Sequence, residues 1–561
     1  LAKGLEAIDF HTALGEAVYT GHSHIDVAWL WPLKESMRKV GRTYSTVTSL
    51  MDEYPEYCFN CSQVPLYLYL KEHFPSVYKK VKARVKEGRF EPIGGTWVEN
   101  DTNLLSGESL VRQCLYGQRF FMKEFGRKVR VGWLPDVFGY SYSLPQIYKK
   151  SGIDYFMTTK LTWNDTNPFP YKVFKWEGID GSRLKCFLSN TYVDNLDFPG
   201  HYRTVVSNYP DKLTEPDYLA VYGFGDGGGG PTRYNLEKIR RLSNAPGFPK
   251  ARTGTAESFF CGSVEKASDR LPVWNGELYF EYHRGTYTSQ ANNKKNNRRC
   301  EIALRNAEMM CSMAKKCGFA YPKKDLTAMW ETVLLNHFHD IIPGSSINEV
   351  YRESGEQYAA VLKKAEKITR KAARFIADSV GVGKNQLIVF NLLSHLRTDA
   401  IEIKGAPFGL EAFDSDGKPL ASQYESDTLV IEVPDVPPMG FKLITLKKGK
   451  PDRKHDFYFL NGRLNTPFFE IVFNEDGTIG SIWDAEAERD VLRENARANL
   501  LQVFEDKPTA YDAWEIEPSY KERSDEFRLT AGPNLVFAGP VRCVLRSKYA
   551  YGQSSITQDM I

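Results

Sequence analysis

Short apolar runs alternate with amphipathic helical stretches from residue 1 to about 260. The helical stretches include residues 35–54, residues 66–85 and a helix capped by Ser106 that runs to about Phe125. This alternation predicts a mainly parallel sheet or an irregular barrel-like (β/α) fold covered by helices. In such folds the site lies at the carboxyl ends of the strands. The predicted strands are AVYTGHSHID, YCFNCSQ, FEPIGGTW, RKVRVGWLPD, DYFMTTK and YLAVYGFGD.

The pattern changes twice further along the chain. From about residue 288 to 380 it is helical and predicts three antiparallel helices. After Gly383 it becomes β, with the Asp-Gly and Pro-rich turns typical of a sandwich. The final residues stop inside a strand pattern, so we expect the chain to be incomplete there. We predict an α/β domain at 1–275, an all-α three-helix bundle at 276–385 and an all-β sandwich region at 386–561.

Composition argues against several classes of function. The 73 Lys and Arg nearly balance the 70 Asp and Glu, whereas a nucleic-acid-binding protein usually carries a concentrated basic field. No run approaches the roughly 18–20 apolar residues of a membrane span. The nine cysteines are an odd, scattered set, typical of reduced thiols rather than of a disulfide framework. Aromatic residues reach 13%, which fits a protein that grips a sugar ring, although large cores use aromatics too.

Two segments at predicted strand ends carry candidate ligands. In GHSHID, His24 and Asp26 are two residues apart, so on extended backbone both point to one face. A neutral imidazole beside a carboxylate suits a zinc-like divalent ion. The alternative is a hydrogen-bonded His–Asp pair without a metal. In GWLPDVFGYS, Asp136 has two interpretations. It is either a carboxylate that points into the same site as Asp26, or a structural aspartate in a turn or at a helix cap.

Two later segments add titratable side chains. In NHFHDIIPGSS, His337 and His339 are too close to face the same way on a regular helix, so at most one is expected to be a ligand. The alternative is a His pair favoured by the helix dipole. In YGFGDGGGGP, Asp226 is the only titratable residue, and the glycines would let a bulky ligand approach the backbone. A plain turn aspartate explains Asp226 equally well.

Five motifs in order carry a family resemblance: GHSHIDVAWLWP, GWLPDVFGYS, GFGDGGGGP, WNGELYFEYHRGTYTSQ and NHFHDIIPGSSINEVY. Together they closely resemble the glycoside hydrolase family 38, or class II, α-mannosidases. The motif sequences HIDVAWLWP and HDIIPGSS most resemble those of the cytosolic and bacterial branch of this family, which implies a cytoplasmic location. The resemblance covers nearly all of residues 15–390 and thins over the β region. Members of this family are much longer, so the chain is expected to be a fragment.

The resemblance implies retaining, zinc-dependent hydrolysis of terminal non-reducing α-D-mannose residues from oligomannose glycans. One divalent ion, Zn²⁺ or another metal, would be held by His24, Asp26, Asp136 and His339. Asp136 would also be the nucleophile, and Asp226 the general acid/base. Domain 1–275 would then hold the nucleophile and most of the metal site, and domain 276–385 would supply one ligand. The remaining residues that the resemblance assigns to substrate binding are Trp29, Lys160, Tyr282, Arg284 and Asp340; Lys160 replaces an Arg of the Golgi-type members.

Two other functions fit part of the pattern. A metal-dependent hydrolase such as a polysaccharide deacetylase would explain His24, Asp26 and His339, but it gives no role to Asp226. A non-catalytic carbohydrate-binding protein would explain the aromatic residues, but it needs no metal set. As partners we expect an α-mannoside oligosaccharide and neither nucleic acid nor a membrane. The sequence leaves a homo-oligomer open.

Overall fold

The computed structural model describes residues 15–197, 200–243, 245–449 and 454–561. The first 14 residues of the predicted domain 1–275 therefore lie outside the described residues. The chain divides into two compact units. The first unit consists of residues up to Arg305 together with Pro322–Glu366 and Pro508–Ile516, and the second contains the rest. The predicted domain boundaries at 275 and 385 stay predictions.

Ten strands in the described part of the first unit form two five-stranded sheets. They are β1 (Glu16–His22), β2 (Phe59–Cys61), β3 (Phe90–Pro92), β4 (Val131–Trp133), β5 (Tyr155–Thr158), β6 (Val173–Glu177), β7 (Arg183–Leu188), β8 (Tyr218–Tyr222), β9 (Lys250–Thr253) and β10 (Val273–Asn275). The first sheet has the order β3-β2-β1-β8 with β9 also paired to β1, and all of its pairings are parallel. The second has the order β10-β6-β7-β5-β4, and only β6 and β7 pair antiparallel. Barrel-like closure stays a prediction.

The longer helices connect these strands and then follow them. They are α1 (Leu33–Glu53), α2 (Val64–His73), α3 (Pro75–Lys86), α4 (Gly107–Phe125), α5 (Leu144–Lys150), α6 (Arg233–Leu242), α7 (Ala291–Lys315), α8 (Lys323–Asn336) and α9 (Asn348–Ser379). Ser106 caps α4 as predicted, because its side chain accepts a hydrogen bond from the Ser109 amide. The single helix predicted over 66–85 was wrong: α2 ends at His73 and Pro75 starts α3, since proline cannot continue the helix but suits its first turn. Helices α7 to α9 lie where three helices were predicted, and their packing as a bundle stays a prediction.

The strands of the first sheet are buried in the main core, and this packing supports the polar residues that follow them. In β1 every residue after Glu16 is buried, the near-continuous burial expected of a parallel strand covered on both faces. The main core contains apolar side chains from β1, β2 and β8 together with those of α1. The polar residues that follow these strands are therefore held at the edge of a close-packed sheet.

The described part of the second unit is built mainly of antiparallel strands. The strands are β11 (Gln386–Asn391), β12 (Arg397–Lys404), β13 (Leu410–Phe413), β14 (Ser422–Glu425), β15 (Thr428–Val436), β16 (Gly440–Lys448), β17 (Tyr458–Leu460), β18 (Arg463–Asn465), β19 (Phe469–Phe473), β20 (Ile479–Asp484), β21 (Arg489–Asp490), β22 (Gln502–Phe504), β23 (Ser524–Glu526), β24 (Arg528–Ala538), β25 (Cys543–Tyr551) and β26 (Ser554–Met560). Sheets β11-β16-β13 and β12-β15-β14 contribute apolar residues to one core, as two packed sheets do. The chain is therefore a multidomain protein with α/β and β parts. Among the described helices, none is both long and apolar enough to cross a membrane.

Candidate functional site

Four polar segments meet at one place in the first unit. Three of them follow the carboxyl ends of parallel strands: His24 and Asp26 follow β1, Asp136 follows β4, and Asp226 follows β8. The fourth segment carries His339, just beyond the end of α8. Strands β1 and β8 are neighbours in the first sheet, so the segments that follow them meet at its carboxyl edge, and Asp136 joins them from the second sheet.

Two imidazoles and two carboxylates converge here. The Nε2 atom of His24 lies 2.9 Å from Oδ1 of Asp26, and the Nε2 atom of His339 lies 3.5 Å from the same oxygen. The Oδ2 atom of Asp136 is 4.0 Å from Nε2 of His24 and 3.8 Å from Nε2 of His339. Both imidazoles are fully buried. The four residues thus present nitrogen and oxygen atoms toward a common point.

The hydrogen bonding of this cluster fits a cation. The Nε2 atoms of His24 and His339 and the Oδ1 atom of Asp26 are buried, and none makes a hydrogen bond of acceptable geometry. An unsatisfied buried polar atom costs about 1–3 kcal/mol, so three of them at one point need another partner. Two imidazole nitrogens with carboxylate oxygens are a donor set that zinc and similar divalent ions accept. The residues present therefore fit a divalent metal, and they do not select one ion.

Glu99 contacts both imidazoles, and the sequence interpretation missed it. Its backbone carbonyl oxygen lies 2.9 Å from Nδ1 of His339 and can only accept a hydrogen bond. Nδ1 must therefore carry the hydrogen, and the lone pair of Nε2 is left available to bind a metal. Its carboxylate Oε2 lies 2.9 Å from Nδ1 of His24. Such outer partners fix the tautomer and ring orientation of metal-binding histidines. Glu99 is buried in the segment after β3, where no spacing to another polar residue distinguishes it.

Asp136 is held as a carboxylate. The Nζ atom of Lys160 donates to its Oδ1 at 2.6 Å, and Lys160 is itself 5% exposed. Burial works against charge on Asp136, but Lys160, His24 and His339 outweigh it and lower the pKa of Asp136 to about 2. The same ammonium lies 4.2 Å from the centre of the Trp163 ring, a cation–π contact that fixes the lysine. Asp136 is therefore ionised at neutral pH.

Asp226 has the opposite environment. Burial raises the pKa of its carboxyl, and the nearby carboxylates of Asp26 and Asp136 add to the effect. Its Oδ1 accepts a hydrogen bond from the hydroxyl of Tyr192 at 3.1 Å. A carboxylate oxygen of Asp226 also lies within 4.8 Å of ligand atoms of His24 and Asp26. The site thus holds one carboxyl whose pKa is lowered and one whose pKa is raised.

The two histidines near the end of α8 have different surroundings. The Nε2 atom of His337 lies 2.9 Å from Oδ1 of Asn297, so this imidazole takes part in a separate buried contact. Asp340, the next residue after His339, has its Oδ2 at 3.9 Å from Nε2 of His339. Burial, together with the charge of Asp26, raises the pKa of Asp340 to about 7. Only one residue of the His337–His339 pair reaches the cluster, because α8 ends at Asn336 and the following backbone leaves the helical path.

Three other predicted residues, Trp29, Tyr282 and Arg284, contact a segment that is distant in sequence, residues 508–516. Trp29 is half-buried, with its ring centroid 6.1 Å from that of Trp514. The rings of Tyr282 and Tyr511 are 5.6 Å apart. An Nη1 atom of Arg284 lies 3.5 Å from Oε1 of Glu515. Residues 508–516 lie far along the chain from the site motifs and carry no metal-ligand or glycine-rich signal, which is why the sequence interpretation did not find them.

Comparison with known families identifies three consecutive matches. The Glycosyl hydrolases family 38 N-terminal domain matches residues 15–277, and the Alpha mannosidase middle domain matches residues 281–376. The Glycosyl hydrolases family 38 C-terminal domain matches residues 464–561. The cluster described above lies in the N-terminal and middle matches, and the segment 508–516 lies in the C-terminal match.

Relatives and solved structures agree with these matches. Alpha-mannosidase G of Dictyostelium discoideum is 35% identical over 96% of this chain and 53% of its own length. Alpha-mannosidase 2C1 of Homo sapiens is 36% identical over 89% of this chain and 47% of its own length. The chain spans about half the length of these curated relatives. A crystal structure of an alpha-mannosidase from Enterococcus faecalis V583 superposes with a TM-score of 0.78 at 19% identity, covering 95% of this chain and 67% of that one.

Proposed function

Because the chain belongs to glycosyl hydrolase family 38, we propose that its protein is an α-mannosidase that removes terminal non-reducing α-D-mannose with retention of configuration. The observation that carries the proposal is the pair of carboxyls at one metal-type cluster. Asp136 is paired with the ammonium of Lys160, whereas Asp226 is largely buried and lies near the carboxylates of Asp26 and Asp136, which raise its pKa. Two carboxyls whose pKa values are shifted in opposite directions are what acid and nucleophile roles require.

In the first step Asp136 attacks the anomeric carbon while the bond from that carbon to the leaving oxygen breaks. Asp226 gives its proton to the leaving oxygen and becomes a carboxylate. In the second step Asp226 takes a proton from water, the water oxygen bonds to the anomeric carbon, and the ester bond to Asp136 breaks. Such retention needs the two carboxyls about 5–5.5 Å apart across the sugar. Two inversions at one carbon return the α configuration.

A divalent cation held by His24, Asp26, Asp136 and His339 would supply a Lewis acid for sugar hydroxyls. We propose Zn²⁺ as the ion, because zinc accepts a set of two imidazole nitrogens and two carboxylate groups. Two other residues of the protein hold the groups of the site in place. Lys160 donates a hydrogen bond to Asp136, and Glu99 contacts the imidazoles of His24 and His339.

The surroundings of the cluster support a carbohydrate substrate. Half-buried aromatic rings offer flat apolar surface, and polar groups beside them can bind hydroxyls. We propose an oligomannose glycan as substrate and a cytoplasmic location, the latter supported by the likeness of the motifs to the cytosolic branch. The residues that we propose to contact the substrate are Trp29, Lys160, Tyr282, Arg284 and Asp340.

The test uses the full-length protein with 4-nitrophenyl α-mannoside. We expect turnover that a chelator abolishes and that Zn²⁺ restores, α-mannose as the first product by NMR before mutarotation, and labelling of Asp136 by a fluorinated mannosyl trap. If β-mannose forms first, the covalent mechanism is wrong and an inverting one replaces it. Release of acetate from an acetylated polysaccharide, without mannoside turnover, would instead establish the deacetylase.

A further inference from the structure

The loop that carries Asp226 has an unusual backbone. Asp226 itself has φ +56°, in the left-handed region where a residue with a side chain is strained. Gly228, Gly229 and Gly230 have φ values of +82°, +121° and +69°. A strained conformation persists only when its surroundings impose it. The contacts that hold this loop therefore determine where the Asp226 carboxyl lies.

One face of α1 supplies such contacts. The Gly229 amide donates to Oγ1 of Thr43 at 2.9 Å. The carbonyl of Gly227 accepts from Nζ of Lys39 at 3.5 Å and from Nη2 of Arg42 at 3.4 Å. Residues three and four apart share a helix face, so Lys39, Arg42 and Thr43 all approach the loop from the same side.

The fit between the helix and the loop is close. A Cβ atom at Gly228 would lie 2.7 Å from Oγ1 of Thr43, and one at Gly227 would lie 3.2 Å from Nζ of Lys39. Thr43 and Lys39 are 1% and 8% exposed. The Lys39 ammonium also lies 3.7 Å from the centre of the Trp31 ring, which restrains it. A side chain at Gly228 would therefore collide with Thr43, and the positive φ of Gly228 also favours glycine where the loop meets the helix.

The other side of the loop is tied to β1 and its extension. The Asp26 amide donates to the carbonyl of Asp226 at 3.0 Å, and Ile25 pairs with Gly227 as an isolated antiparallel bridge. The loop is therefore held between the metal-type cluster and α1. Of the three α1 side chains, Thr43 makes the shortest contact, while Arg42 is half-exposed and shared with Glu35.

We propose that Thr43, supported by Lys39 and Arg42, is a positioning residue that sets the Asp226 carboxyl at the leaving oxygen. The inference rests on the proposed function, because it concerns Asp226 as the general acid. Its consequence is specific to the chemistry. A displaced acid slows the departure of a leaving group that needs a proton and barely affects one that does not. A merely structural role would slow both.

The experiment compares kcat/KM for two mannosides that differ only in leaving group. Because kcat/KM reports the steps up to release of the first product, it isolates acid catalysis from the later base step. For Thr43→Val we expect a loss of about tenfold or more with methyl α-mannoside and of less than about twofold with 2,4-dinitrophenyl α-mannoside. Thr43→Ser keeps the hydroxyl and should recover most of the lost rate. Thr46→Val, the same change at an exposed position of α1, is the matched control and should leave both rates unchanged.

The outcomes separate the inference from the proposed function. Asp226→Asn is the reference and should lose far more rate with the methyl than with the dinitrophenyl substrate. If Asp226→Asn shows no such difference, the acid role of Asp226 fails and the inference fails with it. If Asp226→Asn shows the difference while Thr43→Val lowers both rates equally or neither, the inference alone is wrong. Gly228→Ala displaces the loop from the other side of the contact and gives the same test if Thr43→Val does not fold.

Discussion

The two carboxyls of the site differ in their charged neighbours, and their substitutions should differ accordingly. We expect Asp136→Ala to abolish turnover of 2,4-dinitrophenyl α-mannoside, because Asp136 is the proposed nucleophile and has no substitute. Asp226→Ala should retain most of its kcat/KM with this substrate, since a good leaving group needs little of the roughly 10²–10⁴-fold that acid catalysis contributes. Steady-state kinetics on both variants measure this. Equal loss in the two variants would contradict the assigned roles.

Tyr192 gives a second test at the residue scale. Its hydroxyl donates to Oδ1 of Asp226 at 3.1 Å and so stabilises the ionised carboxyl, which lowers the pKa of Asp226 against the effect of burial. Tyr192→Phe removes that donor, so the pKa of Asp226 should rise further. Asp226 would then keep its proton to higher pH, and the alkaline limb of the kcat/KM profile should move upward. A limb that stays in place or moves downward would mean that another group controls it.

The residues that sequence could predict are those with a distinctive spacing. His24 and Asp26 stand two apart at a strand end, and Asp226 stands alone in a glycine-rich loop. Glu99 and Tyr192 act through contacts to residues far away in sequence. Glu99 contacts His24 and His339, and Tyr192 contacts Asp226. A contact of this kind leaves no periodicity or spacing in the chain, so only the folded structure reveals it.

Two glycines within helices give opposite predictions at the element scale. On α4, a Cβ at Gly117 would lie 2.4 Å from the carbonyl oxygen of Gly95, whereas on α9 a Cβ at Gly355 meets nothing within 4 Å. Alanine in an open helix position is about 0.5–1 kcal/mol more stable than glycine. We therefore expect Gly355→Ala to raise the free energy of unfolding by about that amount. Gly117→Ala should lower it by about 1–3 kcal/mol, the usual cost of overpacking.

Denaturant unfolding of the two variants, followed by circular dichroism, measures both effects. Each variant is the control for the other, because the same methyl group is added to a helix interior. Stabilisation by Gly117→Ala would show that α4 does not pack tightly on the segment containing Gly95. Destabilisation by Gly355→Ala would show that this position of α9 is not open.

At this scale the sequence predicted elements whose ends carry chemical signals. Ser106 marked the start of α4, and the three helices from 291 onward followed their apolar period. The antiparallel pair β6 and β7 was not predicted, although both strands show the partial alternation of buried and more exposed residues that fits it. The break between α2 and α3 was also missed, although Pro75 is a signal for a helix start.

At the scale of the whole molecule, the order of the sequence motifs was the best guide to the family of the chain and to its site residues. The family resemblance is confirmed by three family matches, which cover residues 15–277, 281–376 and 464–561. The resemblance could assign ligands to His24 and His339, which are 315 residues apart, because a family pattern records contacts that local physics does not. It could not indicate that residues 508–516 join the first unit, since that segment follows a long β region and has no helical or strand period.

The proposed metal should stabilise one unit and not the other. All four proposed ligands, His24, Asp26, Asp136 and His339, belong to the first unit. A ligand that binds only the folded state adds RT ln(1 + [L]/Kd), or about 4 kcal/mol at a thousand times Kd, and a chelator removes this contribution. We therefore expect a chelator to speed hydrogen exchange in peptides around Glu99 and His339, because the buried nitrogen and oxygen atoms would lose their common partner.

Peptides from β15 in the second unit are the internal control, since their buried residues Leu429, Ile431 and Val433 pack in a separate core. Mass spectrometry of exchange with and without a chelator, on the full-length protein, gives both readings in one experiment. In His339→Ala the chelator should have a much smaller effect, because one ligand is already missing and metal affinity falls. If the chelator speeds exchange equally in β15, or acts on His339→Ala as strongly as on the unmodified protein, then the ion is not held by these four residues.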